Sequence, residues 1–590
     1  MSYNKFGSKF LKGVRQYRAG SGLNALAIKE YLQSLDCPRA LTVHLLFISG
    51  EHSQLANLEF NPLHFANHED AGKAYLATKF LSKYKDLSLS YDLDEVAKTK
   101  FKKFELRCKQ TNSRFRNLSL DPLYKGSNVW LHHAVIRKIE RILGEFKSED
   151  FFDLPDWGPG ASTLIKRRDA SSARKFQCET GITRALYSLI PDEIFEKVYP
   201  HWFHHLKEIG YPNFQSGNKV ITVAKDATQN RVIAIEPGIN LWFQKALGNM
   251  IGSRLLRAGI DLTDQSRNQR LARLGSKTLS LATVDLSSAS DSIAYKVVEE
   301  LLPPRWFTAL ELCRSRYGSL DKRQVVWEKF SSMGNGFTFQ LESLIFYACA
   351  LACCEYLHID DSNVSVYGDD VIIPTSAFKL LSEVLDFYGF LVNEKKSHFD
   401  STFRESCGAH YFSGVDLKPV YLKGKLSSLL SVFRLANAVR RLAYRRNFCS
   451  CDARFRSVFD LLVQKVPVAL RLRIPETLGD GGFISNFDEA VPRRARHGIE
   501  GYRVVHLSET SKTRLEERPG YLLSELWRIA TRGTSLKKYP DRDPSWLEAT
   551  EDLLELDSSG LGRNSDPYHE SILQVNRSLV AQWSDLGPWI

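Results

Sequence analysis

Long apolar runs are missing from this 590-residue chain. The longest strictly apolar stretch, Leu344 to Cys354, falls far short of the roughly 20 residues that span a bilayer, so no membrane insertion is expected. The N-terminus, MSYNKFGSKFLKGVRQYR, is basic but carries no apolar core, which excludes a secretory signal there. Ten scattered cysteines contain no Cys-x-x-Cys pair and no regular spacing, so a disulfide framework is not expected and a reducing cytosol fits best. His201, His204 and His205 fall at helical spacing, yet no cysteine or histidine cluster completes a zinc site around them. No P-loop, H-E-x-x-H or G-x-S-x-G occurs, and repeats and low-complexity tracts are absent.

What is present is a globular composition, 43% hydrophobic, with a formal charge of +12 and 11% aromatics, a balance that suits a polyanionic partner. Leu131, Val135, Ile139 and Ile142 recur at helical spacing in a scaffold-like N-terminal third. From Lys219 the texture changes to short β-branched runs: KVITVAK and RVIAIEP read as two strands around the turn DATQN. The strand in TLSLATVDLSSASDS ends at Asp285, and Ser292 is expected to cap the following helix, which Pro303 and Pro304 end. Gly334 and Gly336 form a loop ahead of the apolar segment LIFYACALACC, whose length favours a buried helix. Beyond it, AFKLLSEVLDFYG and the arginine-rich FRLANAVRRLAYRRNF also read as helices, while the last hundred residues carry few signals.

The segment VSVYGDDVIIP, Val364 to Pro374, reads as a hairpin turning through Gly368 and Asp369. Gly-Asp is ordinary turn vocabulary. Asp285 nevertheless ends a second β-branched run, and if the two strands are neighbours their carboxylates converge. Hard oxygen ligands on rigid strands suit Mg²⁺, and a pair of such ions serves phosphoryl transfer. Successive strand side chains face opposite ways, so Asp369 and Asp370 need not contribute equally. This reading ranks Asp285 and Asp369 first and Asp370 second, and takes the bare Gly368 to leave room for a nucleic-acid end.

Four ordered segments, VDLSSASDS, SSMGNGFTFQLES, VYGDDVII and GFLVNEKKS, resemble the palm motifs of RNA-directed RNA polymerases. RVIAIEPGINLWFQ, LLPPRWF and FRESCGAHYFSGVD narrow the resemblance to the replicase catalytic beta subunit of the small RNA bacteriophages, the leviviruses. The resemblance implies an α+β right-hand fold: fingers and N-terminal scaffold over 1–262, palm over 263–302, a fingers insertion over 303–332, palm again over 333–425, and thumb with C-terminal region over 426–590.

It also implies template-directed RNA synthesis from ribonucleoside triphosphates, with Asp285, Asp369 and Asp370 as catalytic and metal-binding residues and two Mg²⁺ ions, replaceable by Mn²⁺. Asp291 matches the acid that accepts the ribose 2′-hydroxyl. Lys225 and Arg231 match the basic segment that holds the triphosphate. Ser332, Gly336 and Thr338 would shape the loop around nucleotide and template, and Lys395 or Lys396 would stand by the leaving pyrophosphate. Where the wider viral pattern has an asparagine four residues after the threonine, this chain has Glu342, so the partner of Asp291 stays open. Arg440 and Arg441 would track product phosphates. Implied partners are template and product RNA, host elongation factors Tu and Ts, and a host ribosomal RNA-binding protein, in the bacterial cytoplasm. Two other readings are a reverse transcriptase-like polymerase, against which Asp291 argues, and an RNA-binding protein with an inactive fold, against which the three aspartates argue.

Overall fold

The strands of this chain come from its short β-branched runs and the helices from its longer apolar periods. The computed structural model describes residues 10, 12–20, 22–447, 449–495, 500–511, 518–534 and 571–590. Residues 1–9 and 11 of the basic N-terminal stretch lie outside these.

Helix α1 (Leu93–Arg116) begins where the Asp92 side chain accepts from the Asp94 N–H and satisfies one of the free amides of the first turn. The periodicity around Leu131 gives the helix Ser127–Leu143. Strands β1 (Gly217–Ala224) and β2 (Asn230–Ile235) pair antiparallel around the turn, with Val223 opposite Arg231, as the two β-branched runs flanking DATQN predict. Helices α2 (Gly238–Arg257) and α3 (Ser266–Thr278) follow, and strand β3 (Leu281–Val284) ends one residue before Asp285. Ser292 does not cap the next helix. The chain first makes a 3₁₀ turn over Ala289–Asp291, where the Ser292 hydroxyl donates to the Ser288 carbonyl, and the helix Tyr295–Leu301 starts only after Ala294. Pro304 opens a further helix, Pro304–Cys313.

Strands β4 (Tyr317–Leu320) and β5 (Arg323–Val326) join β1 and β2 in one four-stranded sheet of order β2-β1-β4-β5. Helix α4 (Thr338–Leu357) is apolar on nearly every side and correspondingly buried along its length. After it, β6 (Ser365–Tyr367) and β7 (Asp370–Pro374) form the expected hairpin. The three-stranded sheet has β7 in the middle, in the order β3-β7-β6. The hairpin of β8 (Phe403–Ser406) and β9 (Ala409–Phe412) lies beside α3, and helix α5 (Leu429–Arg446) carries the arginine-rich segment.

Two main cores hold these elements. The larger spans Cys108 to Phe390 and packs α2 and α4 against one face of the three-stranded sheet, through Ala282, Val284, Val366, Val371 and Ile373. The second joins Val14–Leu87 and Ala227 to residues between Val420 and Leu586. No helix among the described residues is long and apolar enough to cross a membrane.

Candidate active site

Side chains on a strand alternate between its faces, and this period places the acids. In β3, Ala282 and Val284 face the large core, whereas Leu281 faces a small cluster with Ile372 and with Ala272 of α3. Continuing the alternation, Asp285 follows Leu281 and Thr283 onto the α3 face. In β7, Val371 and Ile373 face the core, so Asp370 joins Ile372 on that same α3 face. The antiparallel register pairs Val284 with Val371 and therefore sets Asp285 beside Asp370.

Both aspartates line one cavity of about 160 Å³, shared with Lys396, Glu405, Cys407 and Gly408. Asp369 sits at the exposed tip of the hairpin. Asp370 shares the cavity with Asp285, while Asp369 at the tip is the aspartate whose charge acts on Asp285. The Asp370 carboxylate accepts from the Ser406 hydroxyl at 3.3 Å and from the Cys407 N–H at 3.2 Å. Asp285 accepts from the Asn393 amide at 2.8 Å.

These contacts do not neutralise the crowding of like charge. Burial, then the Asp369 and Asp285 charges, push the Asp370 carboxyl up to about 8. Burial, with Asp369 adding to it against the pull of Lys396, raises Asp285 to about 6. Two carboxyls that resist ionising side by side form a hard-oxygen site that a divalent cation would relieve. Among the described residues no group of three His, Cys, Asp or Glu side chains could hold a metal ion by itself. Two carboxylates on a rigid sheet are hard-oxygen donors of the kind a divalent cation uses, with its remaining ligands drawn from water and phosphate. Glu405, a cavity acid that the sequence did not single out, behaves differently. Burial opposes its ionisation, but His410, 3.6 Å away, together with Lys79 and Lys396 outweighs that and holds the carboxyl well below the usual range.

A basic rim faces the acids. Lys396 lines the cavity; burial works against its charge, but the carboxyls of Asp285, Glu405, Asp369 and Asp370 outweigh it and raise its ammonium above the ordinary value. Lys395 instead points to the surface and pairs with Glu59. Of the two neighbours left open by the sequence, Lys396 is the one turned to the acids. Lys225 and Arg231 both stand exposed at the turn end of the β1–β2 hairpin. Lys225 nonetheless has protein mass around it, and burial followed by Arg231 draws its ammonium down to about 8. Lys100 on α1, invisible in the sequence pattern, is half-buried and feels the charges of Lys396, Asp226, Asp291 and Asp285.

The glycine loop is built from inside. Gly336 N–H donates to the Gln244 side chain at 3.1 Å, and the Thr338 hydroxyl donates to the Ser332 carbonyl at 3.0 Å. Ser332 and Thr338 are both buried, so they shape the loop and are not exposed nucleotide contacts. Gly368 does not leave open space either. It adopts φ of 60°, and an added Cβ would come within 2.5 Å of the Phe339 ring, so the glycine permits close approach of the hairpin to α4.

Glu342 is buried beside it, where burial and then the Asp369 charge push its carboxyl well above the usual range. Its hydrogen bond comes from the Ser290 hydroxyl at 2.9 Å. The partner of Asp291 is Lys329, with Nζ 3.1 Å from Oδ1. Nothing in the sequence marked Lys329.

Arg440 and Arg441 are likewise corrected. The fully buried Arg440 pairs with both carboxylate oxygens of Glu489, at 2.6 and 3.1 Å, and Arg441 pairs with Glu476 and Asp480. Their guanidiniums tie α5 to the segments that follow it, so neither is carried forward as a phosphate contact.

Residues 36–510 match the family model described as RNA replicase, beta-chain. The chain is 39% identical to the RNA-directed RNA polymerase subunit beta of Enterobacteria phage SP, over 70% of each chain. It is 38% identical to the protein of that name from Escherichia virus Qbeta, over 74% of this chain and 73% of the other. Among solved structures, the RNA-dependent RNA polymerase of BmCPV at its elongation state is similar over 60% of this chain and 34% of that one, with 12% identity and a TM-score of 0.36. Spanning most of its length, the family match shows that the chain belongs to the RNA replicase beta-chain family.

Proposed function

We propose that this chain is an RNA-directed RNA polymerase that extends RNA on an RNA template from ribonucleoside triphosphates, with the Asp285–Asp370 cavity as its catalytic centre. The observation that supports this most is the pair of carboxyls on adjacent strands that line one cavity, both raised by burial and by the neighbouring Asp369 charge. Bound Mg²⁺, or Mn²⁺ in its place, would supply Lewis acidity at the attacking 3′-hydroxyl and the leaving oxygen, in the two-ion arrangement suited to phosphoryl transfer. Asp285 and Asp370 would hold that charge on a rigid sheet, and Asp369 at the tip would complete the acidic field. Lys225 and Arg231 would bind the triphosphate, and Lys396 would face the negative charge that develops as pyrophosphate leaves. Asp291 would accept a hydrogen bond from the ribose 2′-hydroxyl, which a deoxyribonucleotide cannot donate.

The curated relatives are named as beta subunits or beta chains, and the proposed setting is a complex in the bacterial cytoplasm with host elongation factors Tu and Ts and a ribosomal RNA-binding protein. The test is a panel of RNA templates with Mg²⁺, given four ribonucleotides or four deoxyribonucleotides, with and without host lysate. Template-dependent ribonucleotide incorporation is expected. A preference for deoxyribonucleotides, or no incorporation on any template, would overturn the reading.

A further inference from the structure

An ammonium taken out of water is costly unless paired, and Lys329 is 1% exposed. Its Nζ lies 3.1 Å from Asp291 Oδ1 and 3.8 Å from Glu105 Oε2, an oxygen with no hydrogen-bond partner of its own. The Phe101 ring covers the same ammonium, with Nζ 3.1 Å from the ring centroid.

Helix α1 organises this arrangement with one stripe of side chains at helical spacing, Phe101, Glu105, Cys108 and Asn112. Cys108 Sγ donates to the Asp291 carbonyl at 3.5 Å, and the Asn112 amide donates to the Glu328 carbonyl at 2.7 Å. Glu105 accepts from the Glu328 N–H, and Ala294 and Lys329 form a β-bridge. One helix face therefore clamps both segments that carry the Asp291–Lys329 pair.

The pair is sealed on one side only. The Asp291 side chain keeps 17% exposure, and among the described residues Lys329 is the hydrogen-bond donor to its carboxylate, at Oδ1. Glu342, four residues after Thr338, is engaged by Ser290 and so does not serve Asp291. We propose that Lys329 is the positioning residue for Asp291, fixing one carboxylate oxygen and leaving the other turned to the cleft for the ribose of the incoming nucleotide. The inference rests on the reading of Asp291 as the ribose contact.

The experiment compares kcat/KM for a ribonucleotide with that for the matching deoxyribonucleotide in the full chain and in Asp291→Asn, Lys329→Met and the double variant. Asp291→Asn should lower the preference for ribose by about tenfold, the scale of one lost hydrogen bond to a charged group. Lys329→Met should lower it by a similar factor, mainly through a higher KM for the ribonucleotide, and the double variant should match Asp291→Asn alone. Should Lys329→Met fail to fold with its buried carboxylates unpaired, the double variant, which removes the cation together with the charge of Asp291, still gives the comparison. A folded Lys329→Met with unchanged ribose preference, or a double variant much less selective than Asp291→Asn, would overturn the positioning role. Unchanged preference in Asp291→Asn would instead overturn the reading of Asp291 on which it rests.

Discussion

At the scale of single residues, the site is governed by the burial of its carboxyls and by the like charges brought close to them. Asp370, raised to about 8, and Asp285, raised to about 6, sit on one face of a sheet because strand side chains alternate and the register sets residue 285 beside 370. A divalent cation must displace the proton that Asp370 retains below about pH 8, while Asp285 is already ionised above about pH 6. Between pH 6 and 8, cation binding should therefore tighten by about tenfold per pH unit and then level off. Titration with Mg²⁺ or Mn²⁺ in the absence of nucleotide checks this, and an affinity that ignores pH across that window contradicts it. The aspartates themselves were legible in the sequence because each ends or flanks a β-branched run. That Asp370 lines the cavity while Asp369 stands at the tip was not, because it depends on which residue of the hairpin still belongs to the strand.

At the scale of elements, the arginine-rich helix α5 shows what a charge pattern leaves out. Its helical period was readable, but the acids that neutralise Arg440 and Arg441 return from Glu476, Asp480 and Glu489, beyond the intervening helix Arg456–Gln464, by a path no local pattern encodes. Arg440 also lies over the Phe459 and Trp589 rings, at 5.2 and 5.3 Å. Arg440→Met should destabilise the protein by about 3 kcal/mol, the scale of breaking a buried ion pair, while leaving the salt dependence of RNA binding unchanged. Thermal unfolding together with RNA affinity at several ionic strengths separates the two roles. A shallower salt slope with unchanged stability would restore the phosphate contact. Lys329 failed to show in the sequence for a similar reason: its burial is decided by α1, an element from much earlier in the chain.

At the scale of the whole molecule, two cores divide the work. The larger carries the three-stranded sheet and α4, and thus the acids and the glycine loop; the second unites the first helices of the chain with α5 and the strand pair Tyr502–Ser511 and Ser571–Val580. The strands, hairpins and buried helix around the site were legible because each follows a local period of two or 3.6 residues. The partnership of residues 14–87 with residues 420–586 was not, because nothing local records which amphipathic faces meet across such a distance. The central proposal is that Asp285 and Asp370, with Asp369 at the hairpin tip, form the centre of nucleotidyl transfer. The most direct measurement is single-nucleotide incorporation by Asp370→Asn at saturating Mg²⁺, with folding and template binding confirmed for the same preparation. Loss of incorporation by about a thousandfold or more with RNA binding intact is the predicted result, and incorporation within a few-fold of the unaltered chain would contradict it.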